Sequence, residues 1–201
     1  MPVMIDHSPL ATEELGFSTV GHVLSHLQNR KRLVVHVLID GAEPNFSQLD
    51  EVRQSLLENR TIFIETTDPR DMSLDILRAS AAQLKTVDAL KSDAAEALQT
   101  NQLSSAMEKL SACFAIWQNA QQALVGTAEL MRVDLETLRV GGESIRQVLG
   151  EFSSQLRQIK VALQNRDFVS LSDLLLYETS DACPKWIASI EAVRRVIAER
   201  V

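Results

Sequence analysis

QLSSAMEKLSACFAIWQNAQQALVGTAELMRVDLETLRV, residues 102–140, is the stretch whose reading decides the fold. Apolar residues recur along it in alternating steps of four and three: Leu103, Met107, Leu110, Phe114, Trp117, then Leu124, Ala128, Met131, Leu135 and Leu138. That spacing is one face of a helix packed lengthwise on other helices. At 1.5 Å per residue the segment predicts a rod of roughly 55–60 Å. Gly141-Gly142 ends it, because glycine tolerates the left-handed stop. Gln121 is the one polar residue in the seam. Inside a core it needs a hydrogen bond and can fix register. The simpler expectation is that the seam rotates there, so that Ala120 faces inward.

Reading outward, the flanking segments have matching apolar faces. Residues 73–99 predict a helix capped by Asp71 or Ser73, joined to the rod by Thr100-Asn101, with Asn101 as a cap. Residues 143–165 predict another, carrying Ile145, Val148, Phe152, Ile159 and Leu163. Residues 168–200 predict two helical pieces. Ser170 and Asp173 are spaced as a capping box, and Pro184 lies near the start of the second piece. Short connections force antiparallel neighbours. Residues 72–201 therefore read as an antiparallel up-down four-helix bundle with one long central helix.

Residues 1–71 read differently, as a small α/β part with two or three short strands. Residues 1–17 are a loop in which Val3-Met4-Ile5 makes a short edge strand. A helix over 18–29 is followed by a strand, Arg32 to Ile39, rich in β-branched residues and apolar enough to suggest burial on both faces. A helix over 46–58 leads to a second strand, Thr61 to Thr66. About 20 residues between the strands suit a right-handed crossover and a parallel pair. The whole is a mainly helical α+β chain.

Composition narrows the function. Only 4% of residues are aromatic, so the core is built mainly of Leu, Val, Ile and Ala, which suits helix-on-helix packing. Net charge is −7, which gives no general attraction for a phosphate backbone. Residues 1–71 are the acidic part, with 6 Lys+Arg against 11 Asp+Glu, and Arg30-Lys31-Arg32 is the single basic cluster. No run of apolar residues spans a bilayer, the N-terminus does not read as a signal peptide, and two cysteines make no disulfide framework. The expectation is a cytoplasmic protein that binds neither nucleic acid nor membrane and needs no cofactor.

Candidate sites are few. His22 and His26 stand one helical turn apart, as metal ligands can. The sequence is HVLSH, without the glutamate of a zincin and without a visible third ligand, so ordinary boundary histidines are the plainer expectation. The turns Asp40–Asn45 and Thr66–Pro69 would share one end of a parallel pair, where ligands often bind. Cys113 lies in an apolar helix with only Lys109 nearby, which predicts an inert thiol. No phosphate loop, nucleophile elbow or catalytic spacing is present, and no family signature is legible. Trp117, Tyr177 and Trp186, with Gln121, are the candidate interaction residues, although core packing is the plainer expectation for all three aromatics. The leading expectation is a non-enzymatic protein–protein interaction module, an adaptor, scaffold or secretion-type chaperone. Its partner is another protein or a second copy of the chain. The alternative is a small-ligand or metal sensor using the strand-end turns with His22 and His26.

Overall fold

The structure, a computed structural model, describes residues 3–199. Expectations touching Met1, Pro2, Arg200 and Val201 lie outside it. The chain is mainly helical α+β. It divides between Met72 and Ser73 into two compact units.

The first unit is built on a four-strand mixed sheet, in the order β2-β1-β4-β3. The strands are β1 (Val3–Ile5), β2 (Ser8–Leu10), β3 (Leu33–Ile39) and β4 (Ile62–Thr67). β1 and β2 form a hairpin whose two-residue turn, Asp6-His7, has φ of 48° and 64°. That is the backbone of the hairpin turns usually built from Asn-Gly. Asp6 holds the conformation through its carboxylate, which accepts from Thr66 N–H at 2.7 Å and Thr66 O–H at 2.6 Å. The strand Ser8–Leu10 lies where the sequence predicts a loop, because the turn residues before it are not the usual ones.

β3 and β4 are antiparallel, not parallel, and the parallel partner of β4 is β1. Asp40 decides this. Its N–H donates to Thr61 O at 2.8 Å, and its carboxylate accepts from Thr61 N–H at 2.9 Å, so the chain returns beside the point where it left. The excursion between them holds only a short 3₁₀ turn, Phe46–Gln48, and α2 (Leu49–Gln54), too little for a crossover over a sheet face. β3 is not buried on both faces. A bulge at Val35 resets its register, so Val34 and Val37, an odd step apart, both face the core, while Val35 is half exposed.

α1 (Val20–Asn29) covers the sheet with Val20, Val23 and Leu27. Thr19 caps it, accepting from His22 N–H at 3.3 Å. Gly21 is where α2 comes closest: a Cβ there would lie 2.8 Å from Arg53 O.

The second unit consists of packed helices. They are α3 (Pro69–Leu84), which begins before the unit boundary, α4 (Val87–Gln99), α5 (Leu103–Leu130), α6 (Ile145–Asn165), α7 (Phe168–Asp173) and α8 (Ala182–Glu199). The predicted helix 73–99 is thus two helices. Thr86 breaks it by donating its hydroxyl to Gln83 O at 2.8 Å. Asp68, rather than Asp71 or Ser73, caps α3, accepting from Arg70 N–H at 2.7 Å with Pro69 in the first turn.

The rod ends at Leu130, not Val140. Val133 N–H donates to Ala128 O at 2.7 Å and Arg132 N–H to Glu129 O at 3.1 Å, a Schellman ending with Arg132 left-handed at φ 52°. The same pair of bonds closes α1 at Lys31, α4 at Asn101 and α6 at Arg166. None of the four is glycine. Asn101 is therefore the stop of α4 and not a cap of α5. Gly141-Gly142 instead makes a two-residue turn with φ of 60° and 93°, joining β5 (Arg139–Val140) to β6 (Glu143–Ser144). Ser144 and Gln147 then form a reciprocal capping box on α6.

α5 presents a rotated seam. Ala106, Leu110, Cys113, Trp117, Ala120, Leu124, Thr127 and Ala128 are buried, while Leu103 and Met107 are exposed and Gln121 faces solvent. Ring contacts run Phe114–Trp117–Phe152–Trp186, with centroids 5.7, 5.1 and 5.2 Å apart, all edge-to-face. Ala120→Leu is therefore expected to lower stability by about 1–3 kcal/mol through overpacking. Gln121→Leu is expected to change it by less than about 0.5 kcal/mol. Denaturant midpoints of the two variants make the comparison; the reverse order would put Gln121 in the core.

Candidate functional site

Leu174-Leu175-Leu176-Tyr177-Glu178 continues α7 as a π-helical stretch. Its wide turn is closed by Thr179 N–H donating to Leu174 O, five residues back, at 3.0 Å. Single π turns of this kind are frequent at functional sites. Leu171, Leu174 and Leu175 all point into the core, and Tyr177 is left 70% exposed. Val169, two turns earlier, is 75% exposed. α7 is capped by Asp167, whose carboxylate accepts from Ser170 N–H at 3.0 Å and Ser170 O–H at 2.7 Å. Ser170 and Asp173 do not form the predicted box. The two bonds from Ser170 hold the Asp167 carboxyl below its usual range.

The far end of the segment is fixed from beneath. Lys91 of α4 is buried, and its ammonium donates to Thr179 O at 2.8 Å and pairs with Asp88 at 2.8 Å. Gln155 of α6 donates to Glu178 O at 2.7 Å. Cation and amide thus satisfy carbonyls that a helix end leaves without partners. Tyr177 projects from a segment tied to two other helices.

A groove of about 380 Å³ between α6 and α7 is lined by Arg157, Val161, Ser170 and Leu174, the last of these lying three residues before Tyr177. Val161 is 54% exposed there. The surface therefore offers an aromatic side chain, two valines and a shallow groove.

The residues singled out in the sequence separate. Trp117 and Trp186 are buried in the aromatic stack. Gln121 lies on the outer face of α5 with Gln118, Gln122 and Val125, away from the core. Tyr177, expected in the core with the tryptophans, is instead the exposed aromatic of the four. In the first unit, His22 Nδ1 accepts from Ser18 N–H at 3.2 Å, and His26 packs edge-on against Phe17. Among the described residues no group of three His, Cys, Asp or Glu is placed to hold a metal, and no helix is long and apolar enough to cross a membrane. The two strand-end turns lie at opposite ends of the antiparallel pair and share no site.

Sequence reading missed Lys91 and Thr179. The signal was present: Lys91 lies four residues after Val87 and three before Ala94, within the apolar face of α4. It also missed that Lys91 acts on both thiols. Cys113 and Cys183 are free and buried in one core with Trp117. Burial, with the neighbouring Cys183 adding to it, pushes the Cys113 thiol up to about 11, against the opposing pull of Lys91. Cys183 is raised for the same first reason, offset by the Trp117 indole N–H.

Residues 75–189 match the family described as a domain of unknown function, DUF8042, which is more than half of the chain. The chain belongs to that family. The DUF8042 region takes in Lys91, both cysteines, the groove and Tyr177, and leaves the sheet outside it. No curated protein and no solved structure matches the chain.

Lys91→Ala is expected to cost about 2–4 kcal/mol in chemical denaturation, because it empties core volume and strands the Thr179 carbonyl. The thiols set a pH dependence. The folded chain holds the Cys113 proton more tightly than the unfolded chain, whose thiol ionises near 9.0. That contribution is whole below pH 9.0 and is lost as pH rises toward about 11. Denaturation midpoints measured across this window should fall less steeply in Cys113→Ala than in the parent.

Proposed function

We propose that the protein is a non-enzymatic interaction module, a cytoplasmic adaptor, scaffold or secretion-type chaperone, that docks another protein on its helical unit. In this reading the helices work as an antiparallel bundle with α5 at its centre, and the contact face is the groove between α6 and α7. The observation that carries it is Tyr177, exposed on a π-helical stretch that Lys91 and Gln155 hold in place. A rigid aromatic loses little conformational freedom on binding and brings a large amphipathic surface, which is why such residues serve as interface anchors. In the groove Val161 supplies exposed apolar area and Arg157 and Asp167 a polar rim, and Val169 is a further exposed apolar side chain on α7. The partner that fits is a protein segment presenting apolar side chains, a helix in the simplest case.

The test compares the parent with Tyr177→Ala, with Val169→Asp and with the control Gln118→Ala, which changes the outer face of α5. Affinity capture from native lysate is quantified for each, and light scattering reports self-association. The reading predicts a protein retained by parent and control and reduced at least roughly tenfold by both Tyr177→Ala and Val169→Asp, the size of a typical hot-spot loss. A dimer dissociated by the same two variants identifies the partner as a second copy. Identical capture profiles from monomeric protein in all four would sink the proposal.

A further inference from the structure

We infer that the first unit carries a binding site for a small organic anion, in the cleft between the C-terminal end of α1 and the β1–β2 hairpin. The inference does not depend on the docking face of the helical unit. The cleft has a volume of about 680 Å³, within the range of roughly 300–1,000 Å³ that small-molecule sites occupy. Its apolar wall includes Ile5, Leu10 and Leu27, and its polar groups include Arg30, Arg32 and His26.

The charge arrangement points to an anion. Residues 1–71 hold only 6 cationic side chains, and Arg30-Lys31-Arg32 supplies half of them. The Schellman ending of α1 at Lys31 turns the chain so that Arg30 and Arg32, on either side of it, both line the cleft. Arg32 is pinned: its Nε donates to Thr66 Oγ1 at 2.9 Å, and one Nη donates to Thr66 O at 3.2 Å and pairs with Asp6 at 3.5 Å. The other Nη has no bond among the described residues, so an oriented pair of N–H donors remains. Arg30 is exposed and makes no ion pair among the described residues. Asp6 also faces the cleft, but its charge is met by Arg32 and its oxygens by Thr66. One cationic charge is left over. His26 lines the same cleft with its Nε2 covered and without a hydrogen-bond partner.

A guanidinium held in one orientation, with a second beside it, is suited to an oxyanion head, carboxylate or phosphate. The apolar wall suits a compact hydrocarbon body attached to that head. A polyanion is disfavoured, because the surrounding unit is acidic and would repel charge outside the cleft.

The experiment uses the isotope-labelled full chain and heteronuclear NMR, with hexanoate, inorganic phosphate and hexanol as separate probes. Hexanoate should give saturable shifts at Ser8, from Leu27 to Arg32, and at Thr66. Phosphate should shift the Arg30 and Arg32 amides alone, and hexanol should shift none. Arg30→Glu and the milder Arg30→Gln should weaken hexanoate by roughly tenfold and threefold. Arg60→Glu makes the same change of charge as Arg30→Glu at the other end of β4 and should stay within about twofold. Three results overturn the inference: no saturable shift with either anion, hexanol binding as well as hexanoate, or unchanged affinity in both Arg30 variants.

Discussion

The helical unit depends on how near α5 lets its neighbours come. Every seventh inward position, Ala106, Cys113, Ala120 and Thr127, is small, and between them stand Leu110, Trp117 and Leu124. Small residues bring helix axes together; large ones then fill the space beside them. α4 answers with Ala94, Ala97 and Leu98 against Ala106 and Leu110. The aromatic stack fits into this frame, with four of the chain's nine aromatic rings placed edge-to-face through its middle. Each such pair is worth about 0.5–1.5 kcal/mol beyond its buried area.

Close packing makes buried polar groups expensive, and the unit treats them unevenly. Lys91 is fully engaged with Asp88 and Thr179, and that bond set carries the π-helical stretch. Among the described residues, the indole N–H of Trp186 and the hydroxyls of Ser73 and Ser80 have no hydrogen-bond partner. An unsatisfied buried group costs about 1–3 kcal/mol. The segment that carries Tyr177 is therefore well satisfied, held by Lys91 and Gln155.

Helix endings link the two units' logic. Lys31, Asn101, Arg132 and Arg166 take the left-handed position that glycine usually holds. A side chain there costs about 1–2 kcal/mol. In three of the four, a cation at the carboxyl end of the helix gives back part of that through the dipole. This device stops α5 at Leu130, well before Gly141-Gly142. In the first unit it set Arg30 and Arg32 on one cleft. The sheet relies on a similar substitution, with Asp6 in a turn that normally takes glycine and Thr66, sixty residues away, paying its strain.

What the sequence by itself determined was local. The period of 102–140 made a helix, though one that stops at Leu130, the β-branched runs made β3 and β4, and the apolar face of 143–165 made α6. Those signals lie within a few residues of one another, so propensity, capping and periodicity suffice to read them. The exposed Tyr177 was legible as a residue type, and Lys91 as an oddity in an apolar face. Only tertiary structure decided which side of α5 faces in, because the Phe114 and Cys113 faces differ by a single step and neighbours choose between them by size. It alone decided the direction of β4 against β3, through the bonds of Asp40 to Thr61. It also decided that Lys91 meets Thr179, 88 residues later, and that Arg32 meets Asp6 and Thr66. Each of these is a contact between residues far apart in the chain. Its energy depends on a geometry that no local pattern contains.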